Sequence, residues 1–190
     1  KLKNQFVHLY NRAEKNIADI IQNGNIISIE GKIETKGKTK IDVISSNLAE
    51  TVSNADVIII VIPANAHKDI AEKLAPLLCD GQIIFLSPGQ VCGILEFKKI
   101  LSENGCNAKV VFVESESLIY ACRKNGVTVN VYGVKKKVPI AVCPREKEKD
   151  DGLKLCAFFP SLQIEKHGYW AVTLRNPSSM LHPLPFFLIL

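Results

Sequence analysis

The chain has 190 residues, of which 47% are hydrophobic and 23% are charged, and its formal net charge is +5. This is the composition of an ordinary folded domain, which excludes a disordered or low-complexity chain. The basic residues are scattered apart from one lysine run at 135–137, so the charge does not indicate nucleic-acid binding, and no apolar stretch has the length of a membrane span.

The six cysteines lie 13 to 21 residues apart and include no C-x-x-C pair. This spacing excludes a compact zinc site and a small disulfide scaffold, since both need more closely spaced cysteines. Most of the cysteines have apolar neighbours, which is typical of reduced thiols in a folded core. We therefore expect a cytoplasmic protein without a structural metal.

Short apolar strands alternate with amphipathic helical stretches up to residue 113, which predicts a parallel α/β sheet. The expected strands cover residues 6–10, 41–44, 55–62, 82–86 and 109–113, with a hairpin from residue 25 onward. The expected helices begin at residues 11, 47, 67 and 94. Three later strands within 118–143 predict antiparallel pairing because no long helix separates them, and the charged stretch 145–159 predicts one more helix.

The first expected helix has a sequence signal at each end. Asn11 can cap it with Glu14 three positions on, and Gly24 is placed to end it. Its expected buried stripe consists of Ile17, Ile20 and Ile21.

The strand 55–62 is apolar throughout, which predicts burial on both faces, yet it runs directly into polar and small residues. In a doubly wound sheet, ligands bind beyond the carboxyl ends of the strands. Pro63, Asn65 and His67 are therefore candidates for the rim of a ligand crevice, and the alternative for Asn65 is a helix cap. Pro88 and Gly89 follow the next strand, where glycine lets the backbone approach a ligand closely.

The sequence contains no G-x-G-x-x-G turn, the element that holds the pyrophosphate in dinucleotide-binding sheets. The strand 6–10 instead resembles the second strand of such a sheet, and Asn11 and Arg12 follow it. An acidic residue at this position binds a ribose 2′-hydroxyl, whereas an arginine accommodates a 2′-phosphate. Asn11 and Arg12 are therefore candidates for an NADP-type pocket, and the alternative for Arg12 is a plain surface residue.

Six segments in a fixed order carry a family resemblance. They are "LYNR" (9–12), "ADVIIIVIPANAHKDIAEKLAP" (55–76), "DGQIIFLSPG" (80–89), "ESESLIYACR" (114–123), "VKKKVPIAVCP" (134–144) and "NPSSMLHPLP" (176–185). With these segments the chain resembles the NAD(P)-dependent octopine/nopaline (opine) dehydrogenase family over almost its whole length. The resemblance implies an α/β Rossmann-like doubly wound sheet, incomplete at the N-terminus, in residues 1–165, and the start of a helical catalytic domain in residues 166–190.

The resemblance also implies an activity and a set of partners. The family's enzymes condense the amine of an amino acid with a 2-oxo acid and reduce the product, with NADP or NAD as the cofactor. The expected partners are therefore these small molecules, with no nucleic acid and no membrane, and a homodimer is the expected assembly.

The family's general acid/base is a histidine in an L-H-P segment, and this role maps onto His182. Histidine suits it because its imidazole titrates near the working pH. Asn176 matches a family position beside the site, although Ser178 stands where the family often has a second asparagine. Candidates for substrate contacts are Glu114, which follows the strand 109–113, with Tyr120 and Arg123, and the alternative for Arg123 is an exposed strand-end residue.

Two other functions stay open from the residues themselves. A β-hydroxyacid or ketopantoate-type reductase would share the strand-proline crevice and the NADP-like arginine. An inactive nucleotide-binding fragment would account for the missing glycine-rich turn.

Overall fold

The computed structural model describes residues 5–175 of the chain. The strands in this part are β1 (His8–Tyr10), β2 (Ile26–Gly31), β3 (Gly37–Lys40), β4 (Val43–Ser45), β5 (Val57–Ile60), β6 (Ile83–Leu86), β7 (Val111–Ser115), β8 (Tyr120–Asn125), β9 (Thr128–Val134), β10 (Val138–Cys143) and β11 (Leu162–Ile164). The helices are α1 (Ala18–Gln22), α2 (Leu48–Val52), α3 (His67–Leu74), α4 (Gly93–Glu103), α5 (Asp151–Phe158) and α6 (Tyr169–Thr173). Single 3-10 turns cover Glu14–Asn16, Ala64–Ala66 and Arg145–Glu148.

The described residues form two compact units. The first unit consists of residues 5–55 and 120–135, and the second consists of residues 56–119 and 136–175. Among the helices of residues 5–175, none is both long enough and apolar enough to cross a membrane.

The first unit contains two sheets. In the smaller one β1 and β4 pair in parallel, and in the larger one the strand order is β3-β2-β9-β8. The predicted hairpin is confirmed as the antiparallel pair β2 and β3. The predicted helix start at Asn47 is also confirmed, because its side-chain oxygen accepts a hydrogen bond from the backbone N–H of Ala49 at 3.0 Å.

The prediction for the first helix was wrong at its start and on one face. Asn11 does not cap a helix, because its side chain accepts the backbone N–H of Ala13 at 3.0 Å and closes a local turn that is followed by a 3-10 turn. The α-helix begins only at Ala18 and is five residues long. Ile17 and Ile20 are buried as predicted, but 46% of the Ile21 surface is exposed.

The second unit is built on one five-stranded sheet with the order β11-β10-β7-β6-β5. Strands β5, β6 and β7 run parallel, β10 is antiparallel to β7, and β11 is parallel to β10. In this register Ile60, Leu86 and Glu114 lie side by side, so the segments that follow β5, β6 and β7 start at one edge of the sheet.

The sheet of the second unit has helices on both faces, which is the layer arrangement of α/β folds. On one face Leu155 of α5 packs with alternate residues of the strands; the buried members of this cluster are Ile83, Phe85, Val111, Val113, Ile119, Val138, Ile140, Val142, Leu155 and Leu162. Helices α3 and α4 pack against each other, and α4 contacts β7. The predicted inward residues of α4 are confirmed as buried: Ile94, Phe97, Ile100 and Leu101.

The strand 55–62 is shorter and more exposed than its composition predicts. The strand itself covers Val57–Ile60, and Ile59 and Val61 are 44% and 58% exposed. The prediction of burial on both faces was therefore wrong for this strand. The physical reason is its position, because β5 ends the strand order of the sheet, whereas every residue of β6, which lies between β7 and β5, is buried.

Two predictions for the later part of the chain need correction. The predicted antiparallel pairing is confirmed, since β8 pairs with β9 and β10 pairs with β7, although β10 belongs to a different sheet from β8 and β9. The charged stretch 145–159 is not one helix: the 3-10 turn Arg145–Glu148 packs against β10, whereas α5 packs against β11. Strand β7 also lies two residues later than predicted, so that Glu114 and Ser115 belong to the strand.

Candidate functional site

The segment 87–93, which we call the β6 loop, leaves the sheet at the edge where β5, β6 and β7 end. Its first residues continue the backbone pairing on both sides: the Ser87 N–H donates to the Ile60 carbonyl at 2.9 Å, and the Gly89 N–H donates to the Ser115 carbonyl at 3.3 Å. Further on, Gln90 and Cys92 have φ angles of 60° and 64°. Non-glycine residues adopt this left-handed conformation only where the surroundings hold them in it.

Glu114 lies at the end of β7 with its side chain fully buried. Its Oε2 accepts a hydrogen bond of 3.1 Å from the backbone N–H of Ile94, in the first turn of α4. The N-terminus of a helix favours a negative charge, so the carboxylate serves as its cap from a neighbouring strand.

Burial nevertheless disfavours the charged form of this carboxyl group. Loss of hydration raises the pKa of Glu114 from its ordinary value of 4.5 to about 6, although polar contacts with Thr173, the Ile94 N–H and Tyr169 oppose the rise. The second oxygen, Oε1, is buried without a hydrogen bond of normal geometry, and so is the Tyr169 hydroxyl.

The β6 loop passes so close to Glu114 that position 89 has no room for a side chain. A Cβ atom on Gly89 would overlap the Cγ and Cδ atoms of Glu114 and lie 2.6 Å from Oε2. A Cβ atom on Gly93 would lie 3.3 Å from Leu86, 3.5 Å from Glu114 Oε2 and 3.8 Å from the His67 ring. Glycine at position 89 is therefore required by the carboxylate beneath it.

Thr173 of α6 holds the same loop from another side. Its hydroxyl oxygen accepts the Cys92 N–H at 2.6 Å and donates to the Gln90 carbonyl at 3.2 Å. These two bonds connect the two residues with positive φ. Sequence reasoning missed Thr173, because the contacts join residues more than eighty positions apart and no local pattern marks them.

His67 is the first residue of α3, and it is fully buried. Its ring packs edge-to-face on Phe97 with centroids 5.5 Å apart, and its Nδ1 lies 3.9 Å from Oε2 of Glu96. Burial lowers the pKa of His67, and the Glu96 carboxylate opposes this shift. Neither ring nitrogen makes a hydrogen bond of normal geometry. The His67 ring is therefore a buried group close to Gly93, the last residue of the β6 loop.

The chain was compared with known proteins and structures. No family model matches it. It is 34% identical over 190 residues to the opine dehydrogenase of Arthrobacter sp. (strain 1C), covering 98% of this chain and 51% of that protein. It is 28% identical over 164 residues to the octopine dehydrogenase of Mizuhopecten yessoensis, covering 83% of this chain and 40% of that protein. The chain is homologous to the opine dehydrogenases. It spans about half the length of the curated relatives it matches.

Solved structures show the same fold. The octopine dehydrogenase solved with NADH and L-arginine superposes with a TM-score of 0.77 at 22% identity, over 95% of this chain and 47% of that one. The NADP⁺-bound yersinopine dehydrogenase gives a TM-score of 0.78 at 15% identity, over 94% and 46% of the two chains. These matches confirm the predicted Rossmann-like α/β fold, and the relatives confirm the predicted resemblance.

The predicted site residues of this opine dehydrogenase homologue fall into three groups. Those in the second unit lie near the carboxyl ends of its parallel strands: Pro63, Asn65, His67, Pro88, Gly89 and Glu114. Those in the first unit are Asn11 and Arg12 after β1, and Tyr120 and Arg123 on β8. His182 and Asn176 lie outside the described residues.

Within the second unit the structure brings Gly89 and Glu114 into contact. The His67 ring and the Glu114 carboxyl group both lie close to Gly93. Pro63 and Asn65 are exposed. Pro63 precedes the 3-10 turn that leads into α3, and Asn65 lies within it. The alternative that Asn65 caps α3 is wrong, because Ala66 precedes the first helical residue and no side chain caps it. Glu114 and His67 are fully buried, so neither side chain is on the surface of the candidate site.

In the first unit Arg12 and Arg123 are exposed. The Arg123 guanidinium donates to the neighbouring Cys122 carbonyl at 3.1 Å, and 37% of the Tyr120 surface is accessible. Ligand binding by these residues stays a prediction. All six cysteines are free thiols.

Proposed function

We propose that the protein is an NAD(P)H-dependent opine dehydrogenase. In this reaction the amine of an amino acid condenses with the carbonyl of a 2-oxo acid, water leaves, and hydride reduces the C=N bond to a secondary amine. The observation that carries the proposal is the 34% identity to an opine dehydrogenase over 98% of this chain. The relatives solved with NADH and L-arginine, or with NADH and pyruvate, support the same cofactor and substrate classes.

The cofactor is proposed to lie along the carboxyl ends of β5 and β6, the position at which parallel α/β sheets bind nucleotides. The surface there suits a ligand, since Pro63 and Asn65 are exposed and Pro88 is half-buried. When bound, the cofactor supplies the hydride. Arg12, with its exposed guanidinium, and the neighbouring Asn11 are proposed to receive a 2′-phosphate, which favours NADP over NAD.

The chain's other predicted residues are assigned to the substrates. Condensation needs a group that removes a proton from the amino acid's ammonium and returns a proton when water leaves, and we assign this role to His182. The exposed guanidinium of Arg123 suits a substrate carboxylate. Tyr120 and Asn176 are assigned to further contacts with the substrates.

The test is an assay of the purified full-length protein with NADPH or NADH and a panel of 2-oxo acids, with and without amino acids. Consumption of the reduced cofactor only when both substrates are present, with a secondary-amine product in the mass spectrum, supports the proposal. Reduction of a 2-oxo acid without any amino acid would instead identify a β-hydroxyacid or ketopantoate-type reductase. Absence of turnover together with retained cofactor binding would identify an inactive nucleotide-binding protein.

Location, assembly and domain division remain parts of the proposal. A cytoplasmic location is supported by six unpaired cysteines. A homodimer stays a prediction that light scattering of the purified protein checks. The division of the chain into residues 1–165 and 166–190 also stays a prediction, which limited proteolysis checks.

A further inference from the structure

A buried carboxylate that touches a loop on two sides needs a physical explanation. Glu114 is fully buried, and one of its oxygens has no hydrogen bond of normal geometry. Burying a charged or polar group in this way costs free energy unless another interaction offsets the loss of hydration. The explanation must therefore come from the groups that Glu114 contacts.

Those contacts are at the two ends of the β6 loop. At the beginning, the Cγ and Cδ atoms of Glu114 lie against the backbone of Gly89, in the space that a side chain would fill. At the end, Oε2 accepts the Ile94 N–H in the first turn of α4. One side chain thus defines both the entry to the loop and its exit.

The middle of the loop is held separately by Thr173, through the Cys92 N–H and the Gln90 carbonyl. The Thr173 hydroxyl and the Tyr169 phenol are also the polar side chains that act on Glu114 itself. Glu114 and Thr173 therefore hold the same loop at different points, Glu114 at its two ends and Thr173 in its middle.

We propose that Glu114 is a positioning residue, which fixes the β6 loop and the start of α4 from beneath so that the loop backbone is preorganised for the cofactor. This inference rests on the proposed function for the cofactor's location, and it replaces direct substrate contact as the role of Glu114. Preorganisation by a buried neighbour gains affinity because the loop does not have to be ordered on binding.

The test compares the full chain with three variants of this residue. Glu114→Gln keeps the shape and an acceptor for the Ile94 N–H, and Glu114→Ala removes both. Glu114→Asp keeps the carboxyl group but is one methylene shorter, so its oxygens lie farther from the Ile94 N–H. The matched control is Glu103→Ala, which removes an exposed acid from the other end of α4, where Glu103 pairs with Lys99 at 3.8 Å.

Amide hydrogen exchange of peptides that cover residues 87–96 is the first measurement. Loss of a buried acceptor exposes the loop to local opening, so Glu114→Ala and Glu114→Asp are expected to exchange about ten- to a hundredfold faster there. Glu114→Gln is expected to exchange no faster than the parent, and the Glu103→Ala control is expected to match it. If Glu114→Ala does not fold, Glu114→Asp carries the same comparison.

Titration of NADPH and NADH into the same proteins is the second measurement. We expect Glu114→Ala or Glu114→Asp to weaken the cofactor about tenfold or more and Glu114→Gln to restore it, which a general loss of packing would not produce. The inference would be overturned if loop exchange were unchanged in both the Ala and Asp variants. It would also be overturned if the Gln variant exchanged as fast as opened Ala and Asp variants. If the parent bound no cofactor, the proposed function would fail, while the exchange data would still decide the role of Glu114.

Discussion

The side chain of Glu114 occupies the space that a side chain at residue 89 would need. Gly89 follows β6 and Glu114 is the last residue but one of β7, so the two residues meet because those strands are neighbours in the sheet. The glycine in the "SPG" segment therefore has a structural partner 25 positions later in the chain. This pairing makes a reciprocal test with two substitutions possible.

Gly89→Ala is expected to destabilise the protein by about 1–3 kcal/mol, because the added methyl group overlaps the Glu114 side chain. In the double variant with Glu114→Ala the overlapping atoms are gone, so Gly89→Ala should cost far less in that background. Urea unfolding of the four proteins gives the coupling energy, expected at about 0.5–3 kcal/mol. Gly133→Ala serves as the control, since a Cβ atom there has nothing within 4 Å. Simple additivity of the two substitutions would show that they do not clash.

Glu114→Gln should change how stability depends on pH. The folded-state pKa of Glu114 is about 6 against an ordinary value of 4.5, so the stabilising protonated form is fully populated below about 4.5 and lost as pH rises through 6. The contribution of this group to the free energy of unfolding that is lost in this way is about 2 kcal/mol. The glutamine variant lacks that loss, and it should be more stable than the parent above pH 6 and similar below about 4.5.

Urea unfolding across this pH range checks the prediction for Glu114. The substitution leaves the other groups near it in place: burial raises the pKa of Tyr169 to about 12, outside this pH range, and burial lowers the pKa of His67. A constant difference between the two proteins at every pH would mean that the carboxyl group keeps an ordinary pKa.

Elements with a strong local pattern could be predicted from the sequence. The buried residues of α4 recur at helical spacing, and all four were identified because periodicity alone places them on one face. The cap at Asn47 was identified for the same reason, since a cap depends on residues two or three positions away.

What the sequence could not show depends on contacts between distant segments. Strands β9 and β10 are similar apolar runs, and only the partners available to each decide that one pairs with β2 and the other with β7. Glu114 looked like a site residue because it follows an apolar strand, but its burial depends on the loop that crosses it. No local sequence pattern marks Thr173, because both of its hydrogen-bond partners lie in that loop, far away along the chain.

Thr173→Val removes the hydroxyl group and keeps the shape of the side chain. The Cys92 N–H and the Gln90 carbonyl then lose a partner, which should cost about 1–3 kcal/mol and open the β6 loop to exchange. Thr173→Ser keeps the hydroxyl group and should hold both bonds. Thermal unfolding and loop exchange of the two variants check this, and a Val variant as stable and as protected from exchange as the Ser variant would show that the hydroxyl group does not hold the loop.

Arg12→Ala addresses the choice of cofactor. A guanidinium can make paired, charge-assisted hydrogen bonds to a 2′-phosphate, so its loss should weaken NADPH by about tenfold or more and leave NADH almost unchanged. Lys15→Ala is the matched control, because Lys15 is an exposed cation three residues later. Titration of both cofactors into the three proteins measures the effect. An equal loss for NADPH and NADH would make Arg12 a structural residue.

His182→Gln tests the proposed proton transfer, with the full-length protein and both substrates. Glutamine keeps a hydrogen-bonding group of similar reach but cannot titrate, so turnover should fall by about 10²–10⁴-fold while cofactor affinity holds. In the oxidative direction a neutral imidazole is needed, so the rate should rise through a pKa that is absent from the variant. His167→Gln, at an exposed histidine of the second unit, is the control and should keep the parent's rate and pH profile. A His182 variant with a lower melting temperature but the parent's pH profile would show that this histidine stabilises the fold and transfers no proton.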